Sequence, residues 1–276
     1  MNNNKYNLQD FINTIKRSNL FIIAGLVVVL LSSIITIAQG VSIIKNQYEK
    51  SIGYKRELIK DLEQLTADVH IGYFTSILGN AVFVNKYENK GYNVEKIKNI
   101  DLTEYIFVNK YCFVQALTDK NDQVLAYSIT TRKSDFNPRL MLNINPVVDV
   151  TLGKTKFKEL PDVRVDNIVS YLGAHDFYYH EAYYFGNPGN YQTFIFTLNE
   201  SGYAGIEEEL EFYTFIPPSK DFKEKILISD PEIQEFRNEA IINTFTVSSP
   251  GKFFGESLNN FRFGPDYNQI RILPRN

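Results

Sequence analysis

The sequence predicts an α+β protein that is held in a membrane by one N-terminal helix. Two observations lead to this prediction. An uncharged apolar run near the N-terminus is long enough to cross a bilayer, and a stretch with helical spacing of apolar residues follows it. Farther along, helix signals alternate with short aromatic and β-branched segments bounded by polar turns. That alternation is typical of helices packed on an antiparallel sheet.

Composition and charge exclude several classes of function. The chain has 276 residues, a net charge of −3, one cysteine and three histidines. The single Cys112 excludes an intrachain disulfide and a thiolate-rich metal centre, and no phosphate-loop or dinucleotide-binding glycine pattern is present. Residues from Gln39 onward carry 26 basic and 31 acidic side chains, which is a poor match for a phosphate backbone. We therefore expect no nucleic-acid partner, no metal and no cofactor.

The membrane segment is predicted at residues 20–38, which begin at Leu20, end at Ala38 and include no charged side chain. As a helix it would extend about 29 Å, close to the roughly 30 Å hydrocarbon core of a bilayer. A cleaved signal peptide is the alternative, but its apolar core is usually only about 7–15 residues long and needs a better cleavage site than TIAQG. We expect an uncleaved signal anchor that has the lipid bilayer as a partner.

Basic residues beside the membrane segment predict its orientation. Lys16 and Arg17 lie at its N-terminal edge, whereas Lys45, the first basic residue after it, is seven residues away. The positive-inside rule acts most strongly through charges near the membrane. Residues 1–19 are therefore expected in the cytoplasm, and the body of the protein, residues 70–276, is expected outside it.

A stalk helix is predicted over residues 39–69, where apolar side chains recur at steps of three and four residues. These side chains are Val41, Ile44, Tyr48, Ile52, Leu58, Leu62, Leu65 and Val69. Two interpretations stay open, an amphipathic helix that docks on the following domain and a membrane-proximal coiled coil that pairs two chains as a homodimer. Gly53 interrupts the pattern and is expected to kink the helix.

Two similar units are predicted in the body, over residues 70–150 and 151–230. Each is expected to be a helix that ends in Leu-Gly and is followed by an antiparallel hairpin. The strings that align are HIGYFTSILGNAVFVNKY, starting at His70, and RVDNIVSYLGAHDFYYHE, starting at Arg164. Glycine supplies the left-handed cap at the end of each helix. Polar loops such as TDKND then separate the extended segments.

Residues 231–276 are predicted to form a C-terminal helix and a tail that packs back on the body. Asp230 and Pro231 suit the N-cap and the first position of that helix. The tail from Thr246 retains five aromatic residues, too many for a disordered segment, and its QIRIL string is expected to add a strand. A linker between the two units is expected to carry a short strand near residues 147–150.

Three strings, together with the apolar span, resemble those of an uncharacterised family of bacterial single-pass membrane proteins. The strings are HIGYFTSILGNAVF, LGKTKF and YFGNPGNYQTF. The resemblance covers the chain from about Leu20 to Gly205. It implies a signal anchor and an α+β body, and it supplies no activity and no catalytic residue. More loosely, a Leu-Gly helix followed by a hairpin is similar to small periplasmic helix–hairpin adaptor domains.

Four residues are candidates for catalysis. His175, His180 and Glu181 lie in the string HDFYYHEAYYF. A spacing of five residues on a strand points the two histidines to opposite faces, which disfavours a shared metal ion. Cys112 lies in the apolar string YCFVQA, where a buried thiol is the usual explanation. These residues define the alternative hypothesis, a membrane-tethered hydrolase.

The FGNPGN loop and the aromatic residues around it are the predicted recognition site. The loop lies between two aromatic strands and does not open a helix, which favours a structural turn over a phosphate cradle. Loops of this kind often carry recognition. One strand face is expected to fill the core and the other to display tyrosines, which suit a contact surface. The alternative that stays open is that these aromatic residues fill a core on both faces of the sheet. The predicted contact residues are Asn187, Asn190, Tyr191, Tyr183 and Tyr184.

The leading hypothesis is a membrane-anchored, non-enzymatic binding or sensing protein whose external α+β body recognises a protein or an envelope component. A membrane effector or accessory subunit is a further alternative, beside the hydrolase. Convergence of His175, Glu181 and Cys112 in one cleft would favour the hydrolase, and scattering of these residues would exclude it.

Overall fold

The computed structural model describes most of the body and a small part of the segment before it. The described residues are 13, 16–17, 52–87, 102–142, 147–162, 165–172, 177–184, 192–203, 226–249 and 262–270. The predicted membrane segment lies outside them, as does the stalk up to residue 51. In the described ranges, no helix combines the length and apolar character needed to cross a membrane. The chain divides into two compact units, Met1–Leu58 and Ile59–Asn276.

The described part of the stalk contains one short helix, α1, which spans Tyr54–Glu63. Leu58 and Leu62 are buried on it, in agreement with the predicted apolar spacing. The helix ends six residues before the predicted end at Val69. Asp68 has a φ of 68°, a left-handed conformation that does not continue a helix. The prediction of helix over the last residues of the stalk is therefore wrong.

An antiparallel sheet of eight strands forms the centre of the body, which confirms the predicted α+β class. In chain order its strands are β1 (Phe83–Tyr87), β2 (Leu102–Val108), β3 (Cys112–Thr118), β4 (Val124–Thr131), β7 (Val165–Leu172), β8 (Phe177–Tyr184), β9 (Thr193–Asn199) and β10 (Thr244–Ser248). Their order in space is β1-β2-β3-β4-β10-β9-β8-β7. The two halves of the sheet therefore meet where β4 pairs with β10.

The predicted hairpins around TDKND and before YQTFIFTL are confirmed as the β3–β4 and β8–β9 pairs. In the TDKND turn, the Asp119 carboxylate accepts hydrogen bonds from the backbone N–H groups of Asn121 and Gln123, and Asp122 takes a φ of 59°. Short polar side chains tolerate such turns because they bond the local backbone. A separate antiparallel pair consists of β5 (Arg139–Leu142) and β6 (Val148–Thr151). Strand β6 is the strand predicted in the linker.

The helix predicted at the start of the second unit is a strand. Residues 165–172 form β7 and pair antiparallel with β8 from Val165 to Leu172. The first unit does begin with a helix, α2 (Ile71–Leu78), which ends as predicted at Gly79 with a φ of 80°. The two units therefore share an antiparallel meander, and the repeated helix is wrong for the second unit.

Two short helices follow in the C-terminal part of the body. Helix α3 (Pro231–Glu239) begins as predicted, with Asp230 at its N-cap position and Pro231 in its first turn. The tail then returns to the sheet, where Phe263 is fully buried, and this confirms its predicted packing. The strand predicted at QIRIL is wrong over its first residues, because α4 (Tyr267–Ile270) is a helical turn.

The two faces of the sheet are covered by different elements. Aromatic side chains of α2 and α3 pack on one face, which we call the helix face: Phe74 lies 5.6 Å from Tyr127 and Phe236 lies 4.3 Å from Tyr179, between ring centroids. Residues 262–266, which we call the strap, lie on the opposite face of the sheet. We call that face the strap face. There the ring of Phe263 lies 5.6 Å from that of His180.

Candidate functional site

The predicted contact residues on β8 do not display a tyrosine surface. Tyr183 is fully buried on the helix face, and Tyr184 is half-buried. The expectation that Tyr183 is exposed for contact is wrong, because the sheet is covered on both faces at this strand. Asn187, Asn190 and Tyr191 lie outside the described residues, so their role stays a prediction.

The candidate catalytic residues that the structure describes do not converge. His180 and Glu181 are neighbours on β8 and point to opposite faces of the sheet. Cys112 begins β3, four strand positions away from β8 in the sheet order. Burial raises the pKa of the Cys112 thiol to about 12, which keeps it protonated and poorly nucleophilic at neutral pH. His175 lies outside the described residues.

Metal binding finds no support in the described ranges. They contain no group of three or more histidine, cysteine, aspartate or glutamate side chains that could hold an ion. The nearest approach in sequence, His180 next to Glu181, fails because the two side chains lie on different faces.

On the helix face, Glu181 is the centre of a buried polar cluster. Its carboxylate accepts hydrogen bonds from the hydroxyls of Tyr179, at 2.6 Å, and Tyr183, at 2.5 Å. Arg237 of α3 places its Nε 2.9 Å from the same carboxylate. Burial raises the pKa of Glu181, and the charge of Arg237 opposes that shift.

Arg237 connects this cluster to the chain that packs over it. Its side chain is 1% exposed and forms a second ion pair with Asp162. It also donates to the backbone carbonyls of Phe157, at 2.9 Å, and Leu160, at 3.2 Å. A buried charge is tolerated when it is paired and hydrogen-bonded in this way. The arrangement accounts for a structural role, the attachment of α3 to the sheet.

Polar side chains fill the middle of the strap face. They lie on five neighbouring strands and are paired across them, in the rows Gln115–Ser128–Thr246 and Thr130–Thr244–Thr197–His180. All of these residues are at most 1% exposed. We call this set the polar layer. Polar groups are costly to bury without hydrogen bonds. The hydrogen-bond partners of each side chain therefore indicate whether it has a structural role.

Most members of the polar layer bond one another. Ser128 Oγ and Thr246 Oγ1 are 2.7 Å apart, and Ser128 also donates to Gln115 Oε1 at 3.2 Å. The hydroxyl of Thr244 donates to that of Thr130 at 2.8 Å. These contacts stabilise the junction of β4 and β10, where the two halves of the sheet meet.

Two members of the polar layer are exceptions. Both ring nitrogens of His180 and the hydroxyl of Thr197 lack a hydrogen-bond partner in the part of the chain that the structure describes. The two residues are direct cross-strand partners on β8 and β9, and both are 0% exposed. Burial lowers the pKa of His180 to about 3. Its neutral ring therefore offers one donor and one acceptor nitrogen beside a free hydroxyl.

The strap crosses the polar layer, and one side-chain amide holds its backbone at two points. Gln115 Oε1 accepts a hydrogen bond from the backbone N–H of Gly264 at 2.9 Å. The amide nitrogen of the same side chain donates to the carbonyl of Arg262 at 3.3 Å. Gln115 thus binds a donor and an acceptor of one short segment.

Two further side chains hold the strap by its carbonyl groups. Asn199 Nδ2 donates to the carbonyl of Phe263 at 3.1 Å, and the hydroxyl of Ser201 donates to that of Pro265 at 3.0 Å. The carbonyl or N–H of each residue from 262 to 265 is therefore bonded to a side chain of the sheet or of the turn after β9. These hydrogen bonds are made to the backbone of the strap and not to its side chains.

The close approach of the strap requires glycine at one position. Gly264 has a φ of 89°, and a Cβ there would lie 2.6 Å from Asn199 Nδ2 and 2.9 Å from Thr130 Oγ1. Glycine alone combines that backbone conformation with the absence of a side chain.

Beyond the strap, Glu104 of β2 fixes the end of the same chain segment. Its buried carboxylate accepts hydrogen bonds from Asn85 at 2.9 Å, Tyr87 at 2.8 Å, Gln115 at 2.5 Å and Gln269 at 3.1 Å. Burial and the charge of Glu104 raise the pKa of Tyr87, which keeps its hydroxyl a donor. Glu104 thus ties α4 to the edge of the sheet through Gln269.

Comparison of the chain with protein-family models, with curated proteins and with solved structures finds no match. The resemblance to a family of bacterial membrane proteins therefore stays a prediction.

Sequence reasoning did not single out Thr197, Gln115 or the strap. A signal for the polar layer was present, because hydroxyl residues recur at spacings of two or four residues in three strings: Ser128 and Thr130 in AYSITT, Thr193 and Thr197 in TFIFT, and Thr244, Thr246 and Ser248 in TFTVS. An even spacing places those hydroxyls on one face of each strand. The strap has a weaker signal, the FGP string, since Gly-Pro marks a backbone restriction without naming its partner.

Proposed function

We propose that this chain is a membrane-anchored, non-enzymatic binding or sensing protein whose body, held outside the cytoplasm, takes its ligand at the polar layer. The observation that carries the binding role is the pair of buried polar side chains, His180 and Thr197, that find no hydrogen-bond partner among the described residues. Buried polar groups are almost always hydrogen-bonded, so two adjacent exceptions point to a partner that these residues meet in function. The anchor at residues 20–38 rests on the sequence.

The surroundings of the pair favour a neutral ligand group. His180 is uncharged, and its neighbours in the polar layer are hydroxyl and amide side chains. An ion placed here would lose its hydration without meeting an opposite charge in the layer. A hydroxyl or an amide, which both donates and accepts, matches a neutral imidazole next to a hydroxyl.

Binding is favoured over the hydrolase hypothesis by the positions of the candidate nucleophile and base. A thiol nucleophile needs a base within hydrogen-bond reach, whereas Cys112 and His180 lie four strand positions apart. Glu181 faces away from His180 and is committed to Arg237 and two tyrosines.

The test removes the hydroxyl of Thr197 without changing the shape of the side chain. Full-length wild type and Thr197→Val would be released from native membranes in mild detergent and compared by native mass spectrometry for a bound small molecule or peptide. Loss of one hydrogen bond of about 1.4 kcal/mol predicts a dissociation constant about tenfold higher in the variant, and therefore an occupancy lower by up to about tenfold when the ligand is subsaturating. Thermal stability should not fall, since the hydroxyl has no partner to lose in the described structure.

Thr118→Val is the matched control. Its hydroxyl is buried on β3 and donates to the carbonyl of Thr103 at 3.4 Å, away from the polar layer. This variant should melt at a lower temperature and retain the ligand. Equal occupancy in wild type and Thr197→Val, or no bound species in either, would contradict the proposal.

A further inference from the structure

We infer that the polar layer is a recognition site for a peptide of the type aromatic-Gly-Pro that bends at its glycine, and that the strap is a resident occupant of this site supplied by the chain itself. The inference rests on the proposed function, because it names the class of partner for the same layer. The partner is a protein segment that displaces the strap and also bonds His180 and Thr197.

The way in which the strap is held is that of a bound peptide. Side-chain amides and a hydroxyl bond the backbone carbonyl or N–H groups of residues 262–265. Any peptide that can adopt the same bend at a glycine carries those backbone groups, so a segment from another chain with glycine at that position could make the same contacts. Gln115 in particular makes a two-point contact with one donor and one acceptor of the strap.

Side-chain selectivity comes from Phe263 and Gly264. Phe263 is fully buried in a cluster with Leu117, Ala182 and Ile195 on the strap face. A large apolar side chain is therefore required at this position of the peptide. The next position requires glycine, because a Cβ at Gly264 would lie only 2.6 Å from the side chain of Asn199.

The strap leaves part of the layer unsatisfied. It bonds Gln115 and Asn199, yet the ring of Phe263 lies 5.6 Å from the ring of His180 and offers it no hydrogen bond. Thr197, opposite His180, is also without a partner in the described residues. A peptide that placed hydrogen-bonding groups beside His180 and Thr197 would bind the layer more tightly than the strap does. Tighter binding is what displacement of the strap requires.

The experiment uses the full chain in detergent and a fluorescent peptide with the sequence of residues 258–270. In wild type the covalently attached strap competes at a high effective concentration, so the apparent affinity for the peptide should be weak. In Phe263→Ala the strap is weakened, and the peptide should bind at least about tenfold more tightly than to wild type. A peptide with valine at the glycine position should not bind either protein.

Gly264→Val in the chain provides a second variant, because it removes the strap from the layer by a different mechanism. If either variant is poorly folded, the peptide should restore its cooperative melting, and this restoration is scored as binding. Absence of both binding and restoration in the two variants, with the peptide at millimolar concentration, overturns the inference. A Thr197-dependent ligand detected together with that negative result would leave the proposed function intact and exclude a peptide of this type.

Discussion

At the level of single residues, two neighbours on β8 show how the sheet separates opposite chemical surroundings. Glu181 lies on the helix face, where Arg237 and two tyrosine hydroxyls meet its carboxylate. His180 lies on the strap face among neutral groups and stays uncharged. Since a buried charge is costly unless it is paired, the face on which each residue lies determines its protonation behaviour.

The low pKa of His180 predicts a specific dependence of stability on pH. An unfolded histidine binds a proton near pH 6.5, whereas folded His180 does so only near pH 3. The unfolded state therefore binds more protons as the pH falls below 6.5, and stability is lost between that pH and about 3. From pH 7.5 to 5.5, wild type should lose about 1.4 kcal/mol more of its free energy of unfolding than His180→Phe.

Urea unfolding of both proteins at several pH values measures this difference. The strap carries two charged residues, Arg262 and Asp266. Arg262 is paired with Glu200 at 3.0 Å and with Asp266 at 3.3 Å. These charged groups are present in both proteins, so their contribution to the pH dependence of stability cancels to first order in the comparison of wild type with His180→Phe. Parallel stability curves for the two proteins would show that His180 is not buried in its neutral form.

At the level of elements, β7 shows how strand pairing overrides a helical pattern. Val165, Ile168 and Val169 have the spacing of an amphipathic helix. They are also β-branched, which suits a pleated strand, and β7 pairs antiparallel with β8 along its length, with a register shift between Val165 and Asn167. The string that aligns with it in the first unit, before Leu78 and Gly79, does form a helix, α2. This helix packs Phe74 against Tyr127 of the sheet.

The attachment of α3 to the sheet gives the second prediction. Arg237→Met should lower the free energy of unfolding by about 3–5 kcal/mol, because it leaves the buried carboxylate of Glu181 without its cation. Lys156, whose ion pair with Glu239 of α3 is exposed, is the matched control. Lys156→Met should cost about 1 kcal/mol or less. Chemical denaturation measures both, and similar losses would mean that Arg237 contributes no more than a surface pair.

At the level of the whole molecule, the body consists of two antiparallel halves joined by side chains as well as by backbone. The strands β4 and β10 pair at the junction, and Ser128, Thr130, Thr244 and Thr246 bond across it. Side-chain networks of this kind contribute to a unique register when every member is satisfied. His180 and Thr197, which have no hydrogen-bond partner in the described ranges, lie at the end of that network, beside the strap.

The third prediction concerns the arrangement of the whole chain at the membrane. A reporter that is active only outside the cytoplasm, fused after Asn276, should be active, because Lys16 and Arg17 hold the N-terminus inside. Changing both residues to Glu should weaken or invert the insertion. A fusion that is stably expressed and inactive would reverse the proposed orientation.

Part of the fold and little of the candidate site could be predicted from the sequence. The end of α2 at Gly79, the start of α3 at Pro231 and the TDKND hairpin are local features and were predicted. The sequence left open whether the aromatic residues of β8 fill a core on both faces or display tyrosines on one, because an aromatic strand has the same composition in either case. The burial of Tyr183 agrees with a core on both faces. The loop residues Asn187 and Asn190 stay predictions outside the described part of the chain.

The sequence by itself determined the α+β class, the boundaries set by glycine, proline and polar turns, and the exclusion of a disulfide, since each depends on residue types or on backbone restrictions within a few residues. Only the tertiary structure decided where the polar layer lies and what crosses it. Thr130 bonds Thr244 across 114 residues, and Gln115 bonds Gly264 across 149. No local pattern contains such pairings, because they follow from the order of strands in the sheet and from the path of the chain over its face.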